Sequence, residues 1–466
     1  MSNYYLAIDI GASSGRHMLF RNEDGQIKME EMYRFPNSMT KRNGHFVWDV
    51  EKLFSEILEG MKRCSDAGKI PCSLSIDTWA VDYALLDEND HLLGDVYAYR
   101  DSRTDGMEKE VYKRISENEL YQRTGIQFQK FNTIYQLMAD KKGRPEILDR
   151  ACSLLMIPDY LTFLLTGIKS SEYTVASSTQ LLDVEKRDWD YELIKRIGLP
   201  ERIFLPVSES GSRLGNLKPE IAKELGYNCE VIQCASHDTA SAVMSVIDKE
   251  NVYISSGTWS LMGVERKKAL CTEKDRLGNF TNEGGFGGSI RYLKNIMGLW
   301  MIQKVKQEND DIYSFAELAD MAGNCDSISS VIDVDQDMFL APDNMTRAIK
   351  KECIRTKQTV PRSTAEISKV VFESLAHSYK RTFDEIENNG GIEYSGINII
   401  GGGCQNSYLC QMTADLTGKK VLAGPVEATA IGNAMAQMIK DRVYENLDEA
   451  RKAVADSFEI KEYLPV

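Results

Sequence analysis

The chain has 466 residues, more than one hydrophobic core ordinarily serves, and this length predicts two domains of roughly 200 residues each with a cleft between them. Acidic residues outnumber basic ones by 70 to 56, and the net charge of −14 argues against nucleic acid and against an anionic membrane surface as partners. With 42% hydrophobic and 27% charged residues, the composition is that of a folded globular protein.

The first residues predict strands joined by a tight turn. Residues 4–10 form an apolar run, residues 11–15 read Gly-Ala-Ser-Ser-Gly, and residues 16–20 form a second apolar run. A third strand is expected near Ile27. Next, apolar residues between 48 and 64 recur at helical spacing.

The middle of the chain changes character twice. Residues 73–86 return to strand character, whereas residues 107–166 predict helices broken by loops, the last of which begins at Pro158 and ends at Gly167. We interpret this helical stretch as an insertion that lies outside the main sheet.

The second half repeats the opening pattern. A strand at residues 231–234 leads into a small-residue helix at 240–247, and residues 252–264 then predict strand, Gly-Thr turn and strand. Gly11 and Gly257 are too far apart for a solenoid repeat, so the sequence indicates a duplicated domain. Residues 73–78 and 396–403 are expected to be corresponding strands.

Targeting and covalent features are few. No basic region followed by a long apolar run opens the sequence, and none of the ten cysteines forms a Cys-x-x-Cys pair. No coiled-coil pattern is present. We therefore expect a cytoplasmic monomer with free thiols.

The first turn has two interpretations. Asp9 ends a strand beside a loop of small residues, where backbone N–H groups can hold phosphate while the carboxylate orients Mg²⁺ through water. An ordinary β-hairpin with a polar turn explains the same residues equally well. Residues 11–16 lack the Gly-Lys-Ser/Thr of a Walker motif, and no strand precedes a Gly-x-Gly-x-x-Gly string.

Two Gly-rich turns in the second half suit a nucleotide. Gly257-Thr258 supplies a second hairpin loop, and residues 401–403, three consecutive glycines before a helix expected near Ser407, allow close backbone approach to a flat base or ribose.

Asp238 is the candidate catalytic base. Phosphoryl transfer to a hydroxyl requires a carboxylate that accepts the alcohol proton, and Asp238 lies after a strand and before a helix. The residue types fit a helix cap as well, and the local sequence leaves both roles open.

Eight strings spread over nearly the whole chain resemble motifs of the rhamnulokinases, which belong to the wider carbohydrate kinase family with glycerol kinase and xylulokinase. The strings occupy residues 9–16, 76–82, 99–104, 236–240, 255–260, 281–285, 293–300 and 401–406.

The resemblance implies an α/β protein with two actin-like (ribonuclease H-like) domains and a central cleft. Residues 1–246 would form the domain for sugar binding and the catalytic base, and residues 247–466 the domain for nucleotide binding. It implies the reaction of ATP with L-rhamnulose to give ADP and L-rhamnulose 1-phosphate in L-rhamnose catabolism, with Mg²⁺ required.

The resemblance also assigns roles to residues. Asp238 matches the proton acceptor, and Asp9 falls where the family orients Mg²⁺. The matched sugar positions are Ala80, His237, Asp238, Thr239 and Asn295. The matched nucleotide positions are Ala12, Ser13, Ser14, Gly15, Arg16, Thr258, Gln303 and Gly402.

One position departs from the resemblance. Ala80 stands where many rhamnulokinases have Gly, and its methyl group narrows the expected sugar pocket slightly. Two rival functions therefore stay open: another ketose or polyol kinase of the family, such as a fuculokinase or xylulokinase, and a non-catalytic actin-like nucleotide-binding regulator.

Some polar and aromatic residues have competing explanations. Trp79 fits sugar stacking or core packing, with packing favoured. Arg100, Asp101 and Arg103 fit contacts to substrate hydroxyls or ion pairs that fasten loops, and the ion pairs are slightly favoured.

Overall fold

Strands and helices are interspersed along the chain, as in an α/β protein. The computed structural model describes residues 3–466. The strands are β1 (Tyr4–Ile10), β2 (Ser14–Glu23), β3 (Gln26–Pro36), β4 (Thr40–Arg42), β5 (His45–Trp48), β6 (Pro71–Thr78), β7 (Tyr83–Leu86), β8 (Val96–Tyr97), β9 (Ser153–Met156), β10 (Ser171–Glu172), β11 (Leu182–Asp183), β12 (Asp188–Trp189), β13 (Val207–Ser208), β14 (Arg213–Asn216), β15 (Glu230–Ile232), β16 (Val252–Ser256), β17 (Trp259–Arg266), β18 (Phe280–Gly284), β19 (Ile290–Met297), β20 (Gly396–Ile400), β21 (Lys420–Ala423) and β22 (Lys461–Tyr463).

The helices are on average longer than the strands. They are α1 (Val50–Asp66), α2 (Met107–Tyr112), α3 (Glu117–Thr124), α4 (Thr133–Gly143), α5 (Pro145–Arg150), α6 (Ile157–Thr166), α7 (Tyr173–Ser177), α8 (Tyr191–Ile197), α9 (Pro219–Leu225), α10 (Asp238–Met244), α11 (Glu273–Leu277), α12 (Trp300–Glu308), α13 (Phe315–Gly323), α14 (Met345–Arg355), α15 (Thr364–Gly390), α16 (Ser407–Thr417), α17 (Ala428–Lys440) and α18 (Leu447–Ser457).

The chain forms two compact units, and each is discontinuous in sequence. The first unit holds the chain up to Ser245 together with Glu265–Tyr292 and Thr429–Ser457, and the second unit holds Val246–Val264, Leu293–Ala428 and Phe458–Val466. The division of functions between residues 1–246 and 247–466 stays a prediction.

The sheet of the first unit has the strand order β14-β15-β6-β1-β2-β3. The hairpin β1–β2 is antiparallel, β2 pairs antiparallel with β3, and β1 pairs parallel with β6, which pairs parallel with β15. The carboxyl ends of β1, β6 and β15 therefore meet at one edge of the sheet, where α/β proteins place their functional side chains.

The sheet of the second unit repeats this pairing. Its hairpin β16–β17 is antiparallel, β16 pairs parallel with β20, β20 pairs parallel with β21, and β22 closes the edge antiparallel, as β14 does in the first unit. The predicted repetition of strand, turn and strand is confirmed, and β6 and β20 are the corresponding strands that the sequence indicated.

The main core of the first unit lies between its sheet and helices α1, α6 and α9. Buried side chains of β1, β6 and these helices pack in one cluster that includes Leu6, Ile8, Ile57 and Leu161. The helix expected from residue 48 begins at Val50, because the side chain of Asp49 accepts a hydrogen bond from the amide of Lys52 and so caps the helix. Trp48 instead ends strand β5.

Side chains from residues 83–204 of this unit pack into a second, smaller hydrophobic core. It is formed by side chains such as Tyr135, Leu137, Val175 and Ile194. The insertion predicted at residues 107–166 is present, but it also contains strand β9, which the sequence did not indicate. β9 pairs with β7 in a separate two-stranded sheet.

The prediction of continuous strand character over residues 73–86 is wrong. The chain leaves β6 at Thr78 and begins β7 at Tyr83, in a different sheet, because residues 79–82 form a tight turn.

Two remaining sequence expectations concern the thiols and the membrane. All ten cysteines are free; seven of them are buried and the other three are partly accessible. Among residues 3–466, no helix combines the length and the apolar character needed to cross a bilayer.

Candidate active site

Three carboxylates gather at the carboxyl edge of the first unit's sheet. Asp9 and Asp77 are direct partners in the parallel pair β1–β6, and Thr78 forms a parallel bridge with His237, the residue before Asp238. The charges of Asp9 and Asp238 both raise the pKa of Asp77, and the charge of Asp9 raises the pKa of Asp238, so the topology brings together residues from three distant parts of the chain.

Asp238 occupies the first turn of α10, and its two oxygens have different surroundings. Oδ1 accepts from the Thr239 amide at 2.6 Å and from the Thr239 hydroxyl at 3.1 Å, and it lies 3.3 Å from Nε2 of His237. In the described part of the chain Oδ2 has no such partner, and 32% of the side chain is exposed. One oxygen accepts from a helix amide while the other is free of such bonds, so capping and proton acceptance are compatible.

The environment of Asp238 favours a stronger base than an ordinary aspartate. Burial raises the pKa of Asp238, and the negative charge of Asp9 raises it further, while His237 and the Thr239 hydrogen bonds oppose the change. A carboxylate with a raised pKa accepts a proton more readily near neutral pH.

Asp77 is a functional candidate that the sequence reasoning did not single out. Its side chain is fully buried, Oδ2 accepts from the Asn433 amide at 2.6 Å, and Oδ1 has no hydrogen-bond partner. Burial, followed by the charge of Asp9, raises the pKa of Asp77 well above its ordinary range. The motif at residues 76–82 contained Asp77, but nothing in the sequence linked it to Asn433.

Asp9 is nearly buried and pairs with Arg16. Both Nε and Nη2 of Arg16 lie 2.8 Å from Oδ2 of Asp9. The carboxylates of Asp9, Asp77 and Asp238 are the oxygen ligands that Mg²⁺ prefers, and their mutual repulsion favours a cation. Mg²⁺ keeps several water ligands and takes only one or two carboxylates from a protein, so these carboxylates fit a hydrated Mg²⁺. Within residues 3–466 no group of three or more His, Cys, Asp and Glu side chains is close enough together to hold a metal ion directly.

The predicted phosphate loop is a short hairpin turn. The amide of Gly11 donates to the carbonyl of Ser14 at 2.9 Å, Ala12 and Ser14 are half-buried, and Ser13 is exposed. Gly15 is buried, and a Cβ there would lie 2.1 Å from the ring of Phe35. The structure therefore keeps the tip of the turn accessible and its base fixed in the sheet.

His237 connects Asp238 to a buried ion pair. Its Nδ1 lies 3.0 Å from Nη2 of Arg291 and 3.3 Å from Oε2 of Glu283, and Arg291 and Glu283 are themselves 3.0 Å apart. Arg291 is wholly buried and also donates to the carbonyl of Gly284 at 2.8 Å. Although burial opposes ionisation of Glu283, Arg291 lowers the pKa of this carboxyl below its ordinary value.

The turn at residues 79–82 is conformationally strained. Ala80 is half-buried, its carbonyl accepts from the Asp82 amide at 3.0 Å, and Val81 has a φ of 69°, which is rare for a β-branched residue. The carbonyl of Val81 accepts from the hydroxyl of Thr133 at 2.7 Å, which holds the turn in place.

Trp79 is buried in the main hydrophobic core of the first unit. Its ring packs on Trp48 with centroids 4.1 Å apart, and both indole N–H groups donate to Oδ2 of Asp82, at 2.9 Å and 2.6 Å. The packing explanation of Trp79 is therefore the one that the structure supports.

Ion pairs fasten the loop after β8. Arg103 is buried against Asp140, with 2.6 Å between Nη1 and Oδ1, and Asp101 accepts from the amides of Phe46 and Arg103. Arg100 remains exposed on the ring of Tyr99. The structure therefore supports the ion-pair explanation for Arg103. Its partner is Asp140, which the local sequence did not reveal.

In the second unit, a loop docks on the hairpin β16–β17. The amide of Leu299 donates to the carbonyl of Gly257 at 2.9 Å, and the amide of Trp300 donates to the carbonyl of Thr258 at 3.2 Å. Thr258 is exposed, and its hydroxyl lies 3.5 Å from the side-chain oxygen of Gln303 in α12. Two predicted nucleotide residues, Thr258 and Gln303, are thus adjacent.

The Gly-rich turn after β20 packs on the same hairpin. Gly401 has a φ of 80°, and a Cβ at Gly403 would lie 1.9 Å from the hydroxyl of Ser256. Gly402 between them is exposed, with no heavy atom within 4 Å of an added Cβ.

The half-buried Asn295 of β19 has an unpaired side-chain oxygen.

Two family profiles together match almost the whole chain. Residues 4–245 match the N-terminal domain of the FGGY family of carbohydrate kinases, and residues 252–440 match its C-terminal domain. The chain belongs to the FGGY family of carbohydrate kinases.

Individual relatives of this carbohydrate kinase are similar over their full length. The chain is 49% identical to a rhamnulokinase of Oceanobacillus iheyensis over 100% of this chain and 99% of the relative. It is 48% identical to a rhamnulokinase of Halalkalibacterium halodurans and 42% identical to one of Bacillus subtilis, over 99% of this chain in both cases and over 99% and 95% of the relatives. The resemblance to rhamnulokinases that the motifs indicated is confirmed.

Solved structures share the fold of this FGGY kinase. A ligand-bound xylulose kinase from Lactobacillus acidophilus superimposes with a TM-score of 0.82 at 16% identity, and a Plasmodium falciparum glycerol kinase with ADP superimposes with a TM-score of 0.80 at 16% identity. Each comparison covers 100% of this chain and 94% of the other. The predicted α/β fold with two actin-like domains is confirmed.

Within each unit of the kinase, the predicted site residues group together to different degrees. Asp9, Arg16, His237, Asp238 and Thr239 lie around the carboxyl edge of the first sheet, and Thr258, Gln303 and Gly402 lie around the hairpin of the second. The sequence reasoning missed Asp77, Asn433, Glu283 and Arg291. Asp77 and Glu283 had a signal, because they stand in the motif strings 76–82 and 281–285, but neither had an assigned role.

Proposed function

We propose that this kinase phosphorylates L-rhamnulose with ATP to give L-rhamnulose 1-phosphate in L-rhamnose catabolism. The observation that carries the choice of sugar is the 49% and 48% identity to two rhamnulokinases over nearly complete chains. The partly exposed side chain of Asp238 supports the chemistry, because the hydrogen bonds of Thr239 go to Oδ1 and leave Oδ2 available as a proton acceptor.

In the proposed reaction, Asp238 takes the proton of the C1 hydroxyl. The hydroxyl oxygen then forms a bond to the γ-phosphorus of ATP, and the bond from that phosphorus to the oxygen bridging the β-phosphorus breaks to release ADP. The proton remains on Oδ2 of Asp238 until it passes to solvent. The hydrogen bonds from Thr239 hold Oδ1 and thereby orient the carboxylate.

The remaining matched residues would bind the two substrates. We assign Ala80, His237, Thr239 and Asn295 to the sugar. We assign Ala12, Ser13, Ser14, Gly15, Arg16, Thr258, Gln303 and Gly402 to the nucleotide. Asp9 would hold Mg²⁺ through water, and bound Mg²⁺ would neutralise phosphate charge and orient the transferring group.

An ADP-release assay with a panel of sugars tests the proposal. L-Rhamnulose should give kcat/KM at least about tenfold above L-fuculose and D-xylulose, a difference of roughly 1.4 kcal/mol in transition-state binding. Preference for another ketose would refute the sugar assignment. Slow ATP hydrolysis that no sugar stimulates would favour the regulator instead.

Asp238→Asn tests the base. The variant should keep sugar binding by calorimetry and lose most turnover, because the amide keeps the shape of the carboxylate but cannot accept the proton. Asp90→Asn, at an exposed aspartate paired with Lys169, is the matched control and should retain parental turnover. Turnover of Asp238→Asn within about threefold of the parent would remove Asp238 from the role.

We further infer that the kinase acts as a cytoplasmic monomer. Size-exclusion chromatography with light scattering should give a mass near 52.6 kDa, and a mass near twice that value would refute the monomer.

A further inference from the structure

The buried pair Glu283–Arg291 contacts the residue next to the proposed base, yet the proposed reaction assigns it no role. Arg291 has no exposed surface, and it is anchored at two points, by Oε2 of Glu283 at 3.0 Å and by the carbonyl of Gly284 at 2.8 Å. Burying a guanidinium is costly, so a fully buried arginine beside the site calls for an explanation in terms of what it contacts.

The contact between Arg291 and His237 restricts the imidazole to one protonation pattern. Nη2 of Arg291 lies 3.0 Å from Nδ1 of His237, and a guanidinium can only donate hydrogen bonds. Nδ1 must therefore offer its lone pair, because a proton there would place two donors against each other in a buried site. Oε2 of Glu283 is 3.0 Å from Arg291 and 3.3 Å from Nδ1, so its shorter contact is to the arginine.

The other ring nitrogen then carries the proton. Nε2 of His237 lies 3.3 Å from Oδ1 of Asp238, so its proton is close to the oxygen that Thr239 already binds. Two hydrogen bonds from Thr239 and the nearby Nε2–H of His237 stabilise negative charge on Oδ1, and Oδ2 is left to accept the proton of the substrate. The buried pair is thus linked to the carboxylate through His237, by a hydrogen bond to Nδ1 and an electrostatic contact from Nε2.

We propose that Arg291, anchored by Glu283, is a positioning residue that holds His237 as the neutral tautomer protonated on Nε2 and thereby fixes which oxygen of Asp238 acts as the base. This inference rests on the proposed function for Asp238. Neither Arg291 nor Glu283 is required to contact the sugar or ATP.

The direct test is the tautomer of His237 in the unaltered kinase. ¹⁵N-Histidine labelling and two-dimensional NMR distinguish protonated from unprotonated ring nitrogens, and the His237 signal is assigned by its loss in His237→Asn. We expect a neutral ring with the proton on Nε2. A proton on Nδ1 would overturn the proposal, and this measurement needs no substrate and no variant of the pair.

A kinetic test uses the double variant Glu283→Gln with Arg291→Met, which leaves no unpaired charge in the site. Its kcat should fall on the order of ten- to a hundredfold, because the carboxylate loses its fixed orientation, while KM for ATP stays within about twofold. Glu283→Gln with Arg291→Lys should recover part of the loss, since Lys can donate to Nδ1. A kcat of the double variant within about threefold of the parent would overturn the proposal.

Arg276→Met is the matched control for the loss of a partly buried arginine pair. Arg276 pairs with Glu117 at 2.7 Å in the same unit and should leave kcat unchanged within about twofold. If the parent kinase phosphorylates no sugar of the panel while its His237 is protonated on Nε2, the proposed function fails and the arrangement of Arg291 stands.

Discussion

Gly432 permits the close approach of two helices that carry site residues of the first unit. It lies in α17 immediately before Asn433, and an added Cβ would come within 1.7 Å of the carbonyl oxygen of Ser241 in α10. Ordinary contact at such a position begins at 3.4 Å, so Gly432→Ala forces the helices apart by roughly 1.7 Å. Asp238 begins α10, so the shift moves the base as well as the amide that binds Asp77.

The expected cost follows from two opposing effects. Overpacking a well-packed interior costs about 1–3 kcal/mol, and a clash with backbone belongs at or above the upper end of that range. Ala instead of Gly in a helix returns about 1 kcal/mol. We therefore expect a net loss of about 2 kcal/mol or more in the free energy of unfolding, together with reduced turnover.

Differential scanning fluorimetry and the ADP-release assay measure both effects. A loss of about 2 kcal/mol lowers the melting temperature by about 2 °C in a protein of this size. Gly143→Ala is the matched control, because Gly143 ends α4 with no heavy atom within 4 Å of an added Cβ, and this variant should melt at or slightly above the parent. A Gly432→Ala protein that melts within about 1 °C of the parent would refute the close-packing argument.

Three further predictions concern other parts of the chain. Gly298→Ala places a Cβ 2.5 Å from hairpin backbone in the second unit, and it should raise KM for ATP at least about fivefold, or roughly 1 kcal/mol, in steady-state kinetics; an unchanged KM would contradict the docked loop. Burial raises the pKa of Asp82 to about 6 from an ordinary 3.8, so the folded state binds this proton more tightly than the unfolded chain. This carboxyl therefore stabilises the fold at low pH, and about 3 kcal/mol is lost as the pH rises from about 4 to about 6. Urea unfolding across that range should show a weaker pH dependence for Asp82→Asn than for the parent, and equal slopes would refute the assignment. Arg451→Met removes a buried cation 2.5 Å from Glu265 and should destabilise by about 3–5 kcal/mol in thermal melts, with part recovered by adding Glu265→Gln; a parental melting temperature for the single variant would be the contrary result.

Local patterns in the sequence predicted the elements that depend on nearby residues. β1, the Gly-rich turn and β2 were predicted because apolar runs and turn residues lie within a few positions of one another. The end of α6 at Gly167 was predicted for the same reason, since its left-handed φ of 75° is a property of that one residue. By contrast, β9 was missed because a short run of three apolar residues between helices fits a helix as well as a strand.

Residues 79–82 show where local reasoning failed. The run from 73 to 86 has strand composition throughout, yet Val81 adopts a positive φ. The turn is held by the hydroxyl of Thr133, which lies 52 residues away in sequence. Tertiary contacts therefore override the local preference for a continuous strand.

The sequence by itself determined the family, the repeated strand–turn–strand plan and the identity of Asp9, His237 and Asp238 as candidates, because these are carried by contiguous strings. Only the tertiary structure decided which groups surround them. Asn433 donates a hydrogen bond to Asp77 from 356 positions away, and Arg291 in β19 contacts His237. Burial, hydrogen-bond partners and charge–charge distances depend on how the chain folds back on itself, and a linear pattern does not contain them.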